Sequence, residues 1–573
     1  MGASKVHTMK NRVLLIYPPA TKSEPGAGIL TAKEARCSFF SYGLLTLSTY
    51  LQDNGFEVEV INLSTFTWQE TITAIRNRPA DLFGISCYTF NRHTAAALGD
   101  EIKAMYPDAH VTVGGPHVSC LATEWLDHYP STDTVVIGEG EYTLLDLAQR
   151  VAAGQPTVNV PGTAFRNNGS GPLIGPPRPP VVDLDSLGKT WKYYRHNLTV
   201  SSRGCPGKCT FCGTPKLWGQ KIRFRSAGHV VEEIEAFTQR HLQPLLRFGD
   251  DTITAKKSRM LDICNGIVER QLDFVWSCNT RVDCVNRDVL IAMRRAGCTS
   301  LCLGVESASP IILKNIRKQT NIEQIRSATA MGKELGMSVW YYIMMGNRGE
   351  TAATVQETLN FLDEMQPPMV ECSMPLIMPE TEEFQIAKTK GYINEEHFFS
   401  DHRDQFCMNF SERDPDTIAA LTEMAKKYHQ VEAPFPSFSV AQREQILARH
   451  PDMLLSYTDL ARAYIQVHRY ADAEEVMAAA TSNLGREPAC YWHYRACTKF
   501  AMREIPEATR CFEHARNIAP HDKALMRNIN ALTAAGTMNP QQHVEVTATL
   551  MSNLTNDSII TAGQPSLPAP LDP

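Results

Sequence analysis

No stretch of about twenty consecutive apolar residues occurs in the chain, so no membrane-spanning helix is expected. The opening MGASKVHTMK is not a basic start backed by an apolar h-region, so no secretion signal is expected. That opening carries Gly2 and Ser4, but Val6 stands where an acylation signal requires Ser or Thr, which excludes a myristoyl anchor. A strong charge of one sign is lacking too. The formal net charge is −6 and the pI is near 6.3, so neither nucleic acid nor a membrane surface is an expected partner. The 16 cysteines form no paired framework, which fits a reducing compartment, and a cytoplasmic location is expected. A composition 43% apolar and 21% charged is that of an ordinary globular chain. Its 573 residues are too many for one core and imply about three or four domains.

Strand and helix signals alternate over the first 150 residues. Arg12–Tyr17 is a short apolar run ending at Pro18-Pro19, and Tyr42–Asn54 has helical period and stops at Gly55. Further strands are expected at Glu57–Asn62, Asp81–Cys87, Ala109–Gly114 and Thr134–Gly138. This pattern predicts a doubly wound parallel sheet, whose ligands sit at the carboxyl ends of strands. Those ends carry Ser86, Gly114-Gly115-Pro116-His117 and Gly138-Glu139-Gly140-Glu141. Gly, Pro and Asn dominate Thr157–Pro180, which reads as a linker. A second series of strand candidates follows at Leu198–Ser201, Leu245–Phe248, Phe274–Cys278, Ser300–Gly304, Val339–Met344 and Val370–Leu376. From about Ala441 the pattern is all helical. Tyr470, Ala473 and Ala480 return as Ile505, Ala508 and Ala515, a shift of 35 residues, with Pro520 beyond them. Thr561–Pro573 is Pro-rich and is expected to lack order.

The most specific signal is Cys205-Pro-Gly-Lys-Cys209-Thr-Phe-Cys212, inside Ser-Ser-Arg-Gly-Cys-Pro-Gly-Lys-Cys-Thr-Phe-Cys-Gly. Three thiolates can hold three irons of a [4Fe-4S] cube and leave the fourth iron open. Electron-carrying ferredoxins supply a fourth cysteine at fixed spacing, and here the next one is Cys264. A structural zinc site would need a second short pair, which is missing. The loop, with Phe211 before its last cysteine, closely resembles the cluster loop of radical S-adenosylmethionine (SAM) enzymes. The resemblance implies that Cys205, Cys209 and Cys212 bind the cluster and that its free iron chelates SAM, with Phe211 beside the cofactor. It also implies a partial six-strand (βα) barrel opening at its strand carboxyl ends.

The resemblance carries further residues. Gly249, Asp250 and Asp251 of Phe248-Gly-Asp-Asp251 would meet the SAM amino group, and Arg281 and Asn279 its carboxylate and polar groups. Glu306 would reach a ribose or substrate hydroxyl, and Gly346 would lie along the adenine, with Pro375 and Leu376 nearby. Asn347-Arg348 stands where the family has a Pro-Gly turn, so no role passes to Arg348. Cys264, Cys298, Cys302 and Cys372 sit in apolar contexts and read as core.

The amino-terminal sheet looks like the cobalamin-binding domain fused to one large class of radical SAM enzymes. The helix Tyr42-Gly-Leu-Leu-Thr-Leu-Ser-Thr-Tyr-Leu fits the same pattern. By that resemblance Ser86, Gly114, Gly115, His117, Gly138, Glu139, Gly140 and Glu141 contact cobalamin, the glycines letting backbone close on a flat ligand. The Asp-x-His-x-x-Gly motif that supplies a cobalt ligand in methionine-synthase-type domains is missing from the loop Pro18–Gly28. Asp108-Ala-His110 is a near miss, with Val113 in place of Gly and before the wrong strand. No histidine from that motif is therefore expected below cobalt, and His93 and His117 read as tail or surface contacts. Trp68 reads as helix packing.

The expected class is α/β: a doubly wound cobalamin-binding sheet over 1–155, a linker over 156–190 and a partial (βα)6 radical SAM barrel over 191–385. A connecting segment over 386–440, an all-α region resembling tetratricopeptide hairpins over 441–540 and a tail over 541–573 complete it. The family resemblance covers about residues 10–390. It implies a methyltransferase that uses SAM, a [4Fe-4S] cluster and cobalamin to methylate an unactivated carbon or a phosphinate phosphorus of a small molecule, as in antibiotic biosynthesis. It implies a flavodoxin or ferredoxin as electron donor. An oxidative cyclase or rearrangement enzyme is the alternative, and a cobalamin-binding sensor or scaffold the remote one. Residues from about 385 onward are expected to close the substrate face, with the helices serving packing or a protein partner.

Overall fold

The computed structural model describes residues 11–22, 41–167, 171–194, 196–219, 221–240, 245–400, 407–428, 438–518, 520, 523–535, 542, 543 and 545–550. The Pro-rich end, the opening MGASKVHTMK and all but the first residues of the Pro18–Gly28 loop lie outside them. Among the described residues no helix is long and apolar enough to cross a membrane.

Seven strands build the first sheet: β1 (Arg12–Tyr17), β2 (Glu57–Asn62), β3 (Leu82–Ser86), β4 (His110–Gly114), β5 (Thr134–Val136), β6 (Thr163–Asn167) and β7 (Gly171–Ile174). They run in the order β2-β1-β3-β4-β5-β6-β7. The first five are parallel, and β1 lies between β2 and β3. Strand order therefore reverses between β1 and β3, where a doubly wound sheet opens its ligand crevice. Helices cover both faces, so β1 and β3 are apolar along nearly their whole length rather than alternating. The last two strands correct the expected linker. They pair antiparallel as a hairpin on the far edge of the sheet. The glycines and prolines of this stretch shape its turns, and strands this short and polar carry no clear period.

The second sheet has the order β15-β14-β13-β12-β11-β8, and every neighbouring pair is parallel. Its members are β8 (Leu198–Thr199), β11 (Leu245–Phe248), β12 (Val275–Thr280), β13 (Cys298–Glu306), β14 (Ser338–Met344) and β15 (Val370–Ser373). Phe248 and Trp276 meet edge to face at 5.0 Å between this sheet and its helices. Cys264, Cys298, Cys302 and Cys372 are all buried, as the apolar contexts predict. Two further strands, β9 (Ser202–Arg203) and β10 (Arg223–Phe224), stand apart as an antiparallel pair.

Beyond the barrel lie paired helices, among them Leu454–Gln466, Tyr470–Leu484, Ala489–Ala501 and Ile505–Ile518. Ala473, Ala480, Ala508 and Ala515, the residues of the 35-residue shift, are buried where these helices meet. The expected cover for the substrate face divides in two. The connecting segment lies near strand carboxyl ends: Met408 N donates to Pro375 O (3.1 Å) and Phe410 N to Gly346 O (2.7 Å). The helices from Val440 onward sit at the opposite end. Arg443 donates to Gly336 O just before β14, and Arg486 pairs with Asp273 just before β12. Asp459 anchors this seat, pairing with Arg294 of a barrel helix and with Arg443 and Arg462. Burial raises its carboxyl pKa, but the three guanidinium groups outweigh that and hold it at about 2.

Candidate functional site

The cluster loop begins where β8 ends, and Asp250 fixes that turn. Its carboxylate accepts from Ser201 N (3.0 Å), Ser201 Oγ (2.8 Å) and Ser202 Oγ (2.5 Å). Asp250 is buried and fully engaged, so it shapes the loop. Asp251 differs. It follows β11 at the strand's carboxyl end, is exposed at the residue level, and accepts from Thr214 Oγ1 at 3.3 Å. Burial first, and then the neighbouring Asp250, push its carboxyl up to about 6. Of the two expected acids, Asp251 is thus placed to receive a cation. Gly249 packs closely, since a Cβ there would stand 2.9 Å from Leu198 Cδ1.

Cys205, Cys209 and Cys212 are half-buried on one short loop, and Phe211 is half-buried among them. Cys205 Sγ lies 3.2 Å from Thr252 Oγ1 and accepts from Gly207 N at 3.4 Å. Among the described residues no three His, Cys, Asp or Glu side chains converge on one ion. A cube asks for something else, because each thiolate binds its own iron and the sulfurs stand apart around it. The donor set therefore fits a cluster with three protein ligands and not a mononuclear metal. Thr210 ties the loop to the segment after β15: its hydroxyl donates to Glu383 Oε1 (2.7 Å), and Glu383 N donates to Thr210 O (3.2 Å).

Arg281 turns towards this loop. Its Nε and Nη2 donate to the two oxygens of Asp283, both at 2.9 Å, and Nη2 also donates to Lys318 O at 2.8 Å. Nη1 points at Cys209 Sγ, 3.8 Å away. A Cβ on Gly207 would lie 2.6 Å from that same nitrogen, so a larger residue here would displace the guanidinium tip. Hydrogen bonds to ligand sulfurs raise a cluster's reduction potential. Arg281→Gln is accordingly expected to shift the cluster midpoint to more negative values in a titration followed by electron paramagnetic resonance. An unchanged midpoint would show that the guanidinium does not act on the thiolate.

Glu306 sits at a bulge with φ 68°, in the left-handed region, and is held there by Lys318 Nζ at 2.7 Å. Lys318 is a residue the sequence reading missed, because nothing in Arg-Lys-Gln-Thr marks it. Asn279 is half-buried on β12, on the opposite face from the core residue Cys278. Gly346 has φ 82°, and both of its backbone groups are occupied. Its N–H donates to Glu350 Oε2 at 2.5 Å and its carbonyl accepts from Phe410 N. Burial pushes the Glu350 carboxyl up to about 7. Arg348 is engaged with Asn315 O and Glu383. Pro375 and Leu376 meet the connecting segment, through Met408 N and a bridge to Cys407.

In the first sheet the expected ligand residues separate. A Cβ on Gly115 (φ 128°) would stand 2.5 Å from Cys87 O, so this glycine serves a close approach between two strand ends. Among the described residues a Cβ on Gly138 (φ 72°) would meet nothing within 4 Å, whereas Gly114 and Gly140 pack on Val136 and Leu47. Ser119, unmarked in the sequence, joins both loops: its hydroxyl accepts from Gly138 N (3.0 Å) and donates to Gly115 O (2.8 Å). Ser86 is buried at the end of β3. Glu139 and Glu141 are a correction. Their carboxylates are buried against Arg203 and Arg223 of the barrel instead of facing the crevice.

His117 is buried against Trp125 and Phe398. Its Nδ1 lies 3.2 Å from Thr89 Oγ1, while its buried Nε2 has no partner among the described residues. Burial, with Arg92 and His93 nearby, lowers its pKa to about 3 and keeps the ring neutral. His93 is half-buried on the helix Arg92–Met105. His110 starts β4, at the far end of the sheet from the crevice, and bonds Thr134 Oγ1 (3.0 Å). Trp68 packs on the core, as read from the sequence. An aromatic row stands at the switch point: Tyr17 and Tyr88 lie 6.0 Å apart, and Tyr88 stacks on Phe90 at 5.6 Å. Phe90 is 43% exposed there. The open Gly138 backbone, this aromatic row and the unpartnered His117 Nε2 fit a large, flat, partly polar ligand.

Comparison with known proteins agrees with both halves. Residues 32–148 match the B12 binding domain and residues 199–362 match the Radical SAM superfamily. An uncharacterized methyltransferase of Pyrococcus horikoshii is 28% identical over 336 residues, 56% of this chain and 73% of that one. The anaerobic magnesium-protoporphyrin IX monomethyl ester cyclase of Rubrivivax gelatinosus is 28% identical over 362 residues, 59% of this chain and 64% of the cyclase. The solved structure of the radical SAM methyltransferase TsrM from Kitasatospora setae superposes with a TM-score of 0.56 at 21% identity, covering 67% of this chain and 77% of TsrM, and so shares its fold. The three-cysteine loop on a parallel barrel, together with the family match, makes the chain a radical SAM enzyme. More narrowly, it belongs to the radical SAM enzymes that carry a B12-binding domain ahead of the barrel.

Proposed function

We propose that the chain is a cobalamin-dependent radical SAM methyltransferase acting on a small molecule. The observation that carries this reading is that one chain presents a three-thiol loop and an open glycine loop, joined by buried ion pairs. When bound, the cluster and SAM supply hydrogen abstraction from an unreactive acceptor, and cobalamin supplies the methyl group. The protein's own groups bind and orient. Cys205, Cys209 and Cys212 hold the cluster, and Asp251 and Asn279 meet the polar groups of SAM. Lys318 holds the buried Glu306 carboxylate at the end of β13. Gly138 and the Tyr88–Phe90 row receive cobalamin. The connecting segment, with buried Phe410, keeps water from the carboxyl ends of β14 and β15. A small acidic electron carrier of the flavodoxin or ferredoxin type is the expected reductant, and a secondary metabolite the expected acceptor.

The cyclase relative supports a second reading, oxidative ring closure without methyl transfer. Product mass separates the two. The reconstituted, reduced protein with hydroxocobalamin and methyl-labelled SAM, supplied with metabolites from cells lacking it, is expected to give a product heavier by one labelled CH2. A product that loses hydrogen and carries no label would overturn the methyltransferase reading.

A further inference from the structure

The separate pair β9–β10 has an unusual composition. Its two strands are two residues each, and Arg203 stands directly opposite Arg223. Like charges facing across an antiparallel pair repel, so this hairpin is unfavourable by itself. Two carboxylates from the other domain neutralise it. Arg203 Nη1 meets Glu139 Oε1 at 2.9 Å and Arg203 Nη2 meets Glu141 Oε1 at 2.5 Å. Arg223 Nη1 meets both oxygens of Glu139 at 2.7 Å. The remaining capacity is filled locally: Thr46 Oγ1 donates to Glu141 (3.0 Å), Val181 N donates to Glu139 (2.5 Å), and Arg203 lies over the Trp218 ring at 5.1 Å. All four charged side chains are less than 10% exposed, with two charges of each sign.

The ends of this network matter. Glu139 follows Gly138, the open glycine of the B12-binding loop, and Arg203 precedes Gly204 and Cys205, the first cluster thiol. On the Asp250 side, the Ser201-Ser202 turn is already fixed. We propose that Arg203, Arg223, Glu139 and Glu141 form a clip that sets the spacing between cobalamin and the cluster, and that these are positioning residues for transfer between the two. The proposal rests on the reading that Gly138 lies against cobalamin. Charge pairs buried this way add little net stability over an apolar contact, yet they define one geometry because any displacement leaves a buried charge unpaired.

The test measures the distance between cob(II)alamin and the reduced cluster by pulsed electron paramagnetic resonance in the fully reconstituted protein. Two neutral double variants, Arg203→Gln with Glu141→Gln and Arg223→Gln with Glu139→Gln, avoid an orphaned buried charge. If one fails to load iron, the other decides. The parent is expected to give one narrow distance. The variants are expected to take up iron and hydroxocobalamin as the parent does but to give a broadened distribution, which a merely stabilising role would leave narrow. Variants as narrow as the parent would overturn the clip. A parent with cluster but without bound cobalamin would instead overturn the reading of the Gly138 loop, and the clip with it.

Discussion

Cys205→Ala, Cys209→Ala and Cys212→Ala are each expected to abolish the reconstituted [4Fe-4S] absorbance and all cleavage of SAM. The loop holds three thiols and the cluster needs three protein ligands, so no cysteine is spare. Another thiol after β12, Cys284, follows the exposed Asp283 and is pushed up to about 11 by burial. Serine in place of any of the three gives a ligand of different hardness and is expected to leave residual iron without turnover. A normal cluster spectrum with SAM cleavage in any single alanine variant would remove the basis of the assignment.

The second large effect lies far from the cluster. Asp459→Ala is expected to destabilise the protein by about 3–5 kcal/mol, because it leaves Arg294 as an uncompensated buried charge. Arg294 is 1% exposed and has no water to turn to. The pH dependence follows from the depressed carboxyl. A group whose folded pKa is about 2 contributes stability that is complete above its unfolded value of about 3.9 and disappears as pH falls through 2. Thermal unfolding of the parent and of Asp459→Ala should therefore differ fully at pH 6 and converge only in strong acid. Equal midpoints at pH 6 would show the helical region to be a loose appendage.

Much of this architecture could be read along the chain. The apolar runs of β1 and β3 and the cysteine spacing are local signals, and each fell where expected. The hairpin β6–β7 was hidden because short edge strands in a stretch rich in Gly and Asn have neither length nor alternation. Site residues were harder for a related reason. Asp250 and Asp251 are neighbours in sequence, but one is buried and bonded to two serines and the other is exposed. Glu139 and Glu141 look like crevice residues until Arg203 and Arg223, more than 60 positions away, are placed beside them. Lys318 is visible only through Glu306. Spacing reports what one element presents, whereas the partner that occupies a charge comes from elsewhere in the chain.

The order of the clip's parts also bears on how the protein is made. Glu139 and Glu141 leave the ribosome before Arg203 and Arg223. Domains fold from the amino terminus as synthesis proceeds. The carboxylates are therefore already mounted on a folded sheet when the two arginines emerge, and the like-charged hairpin closes onto a waiting template. A circular permutant that begins at the barrel would reverse this order and oblige the two arginines to face each other first. Slow maturation and aggregation during expression, with normal behaviour once refolded from the whole chain, would be the mark of that reversal.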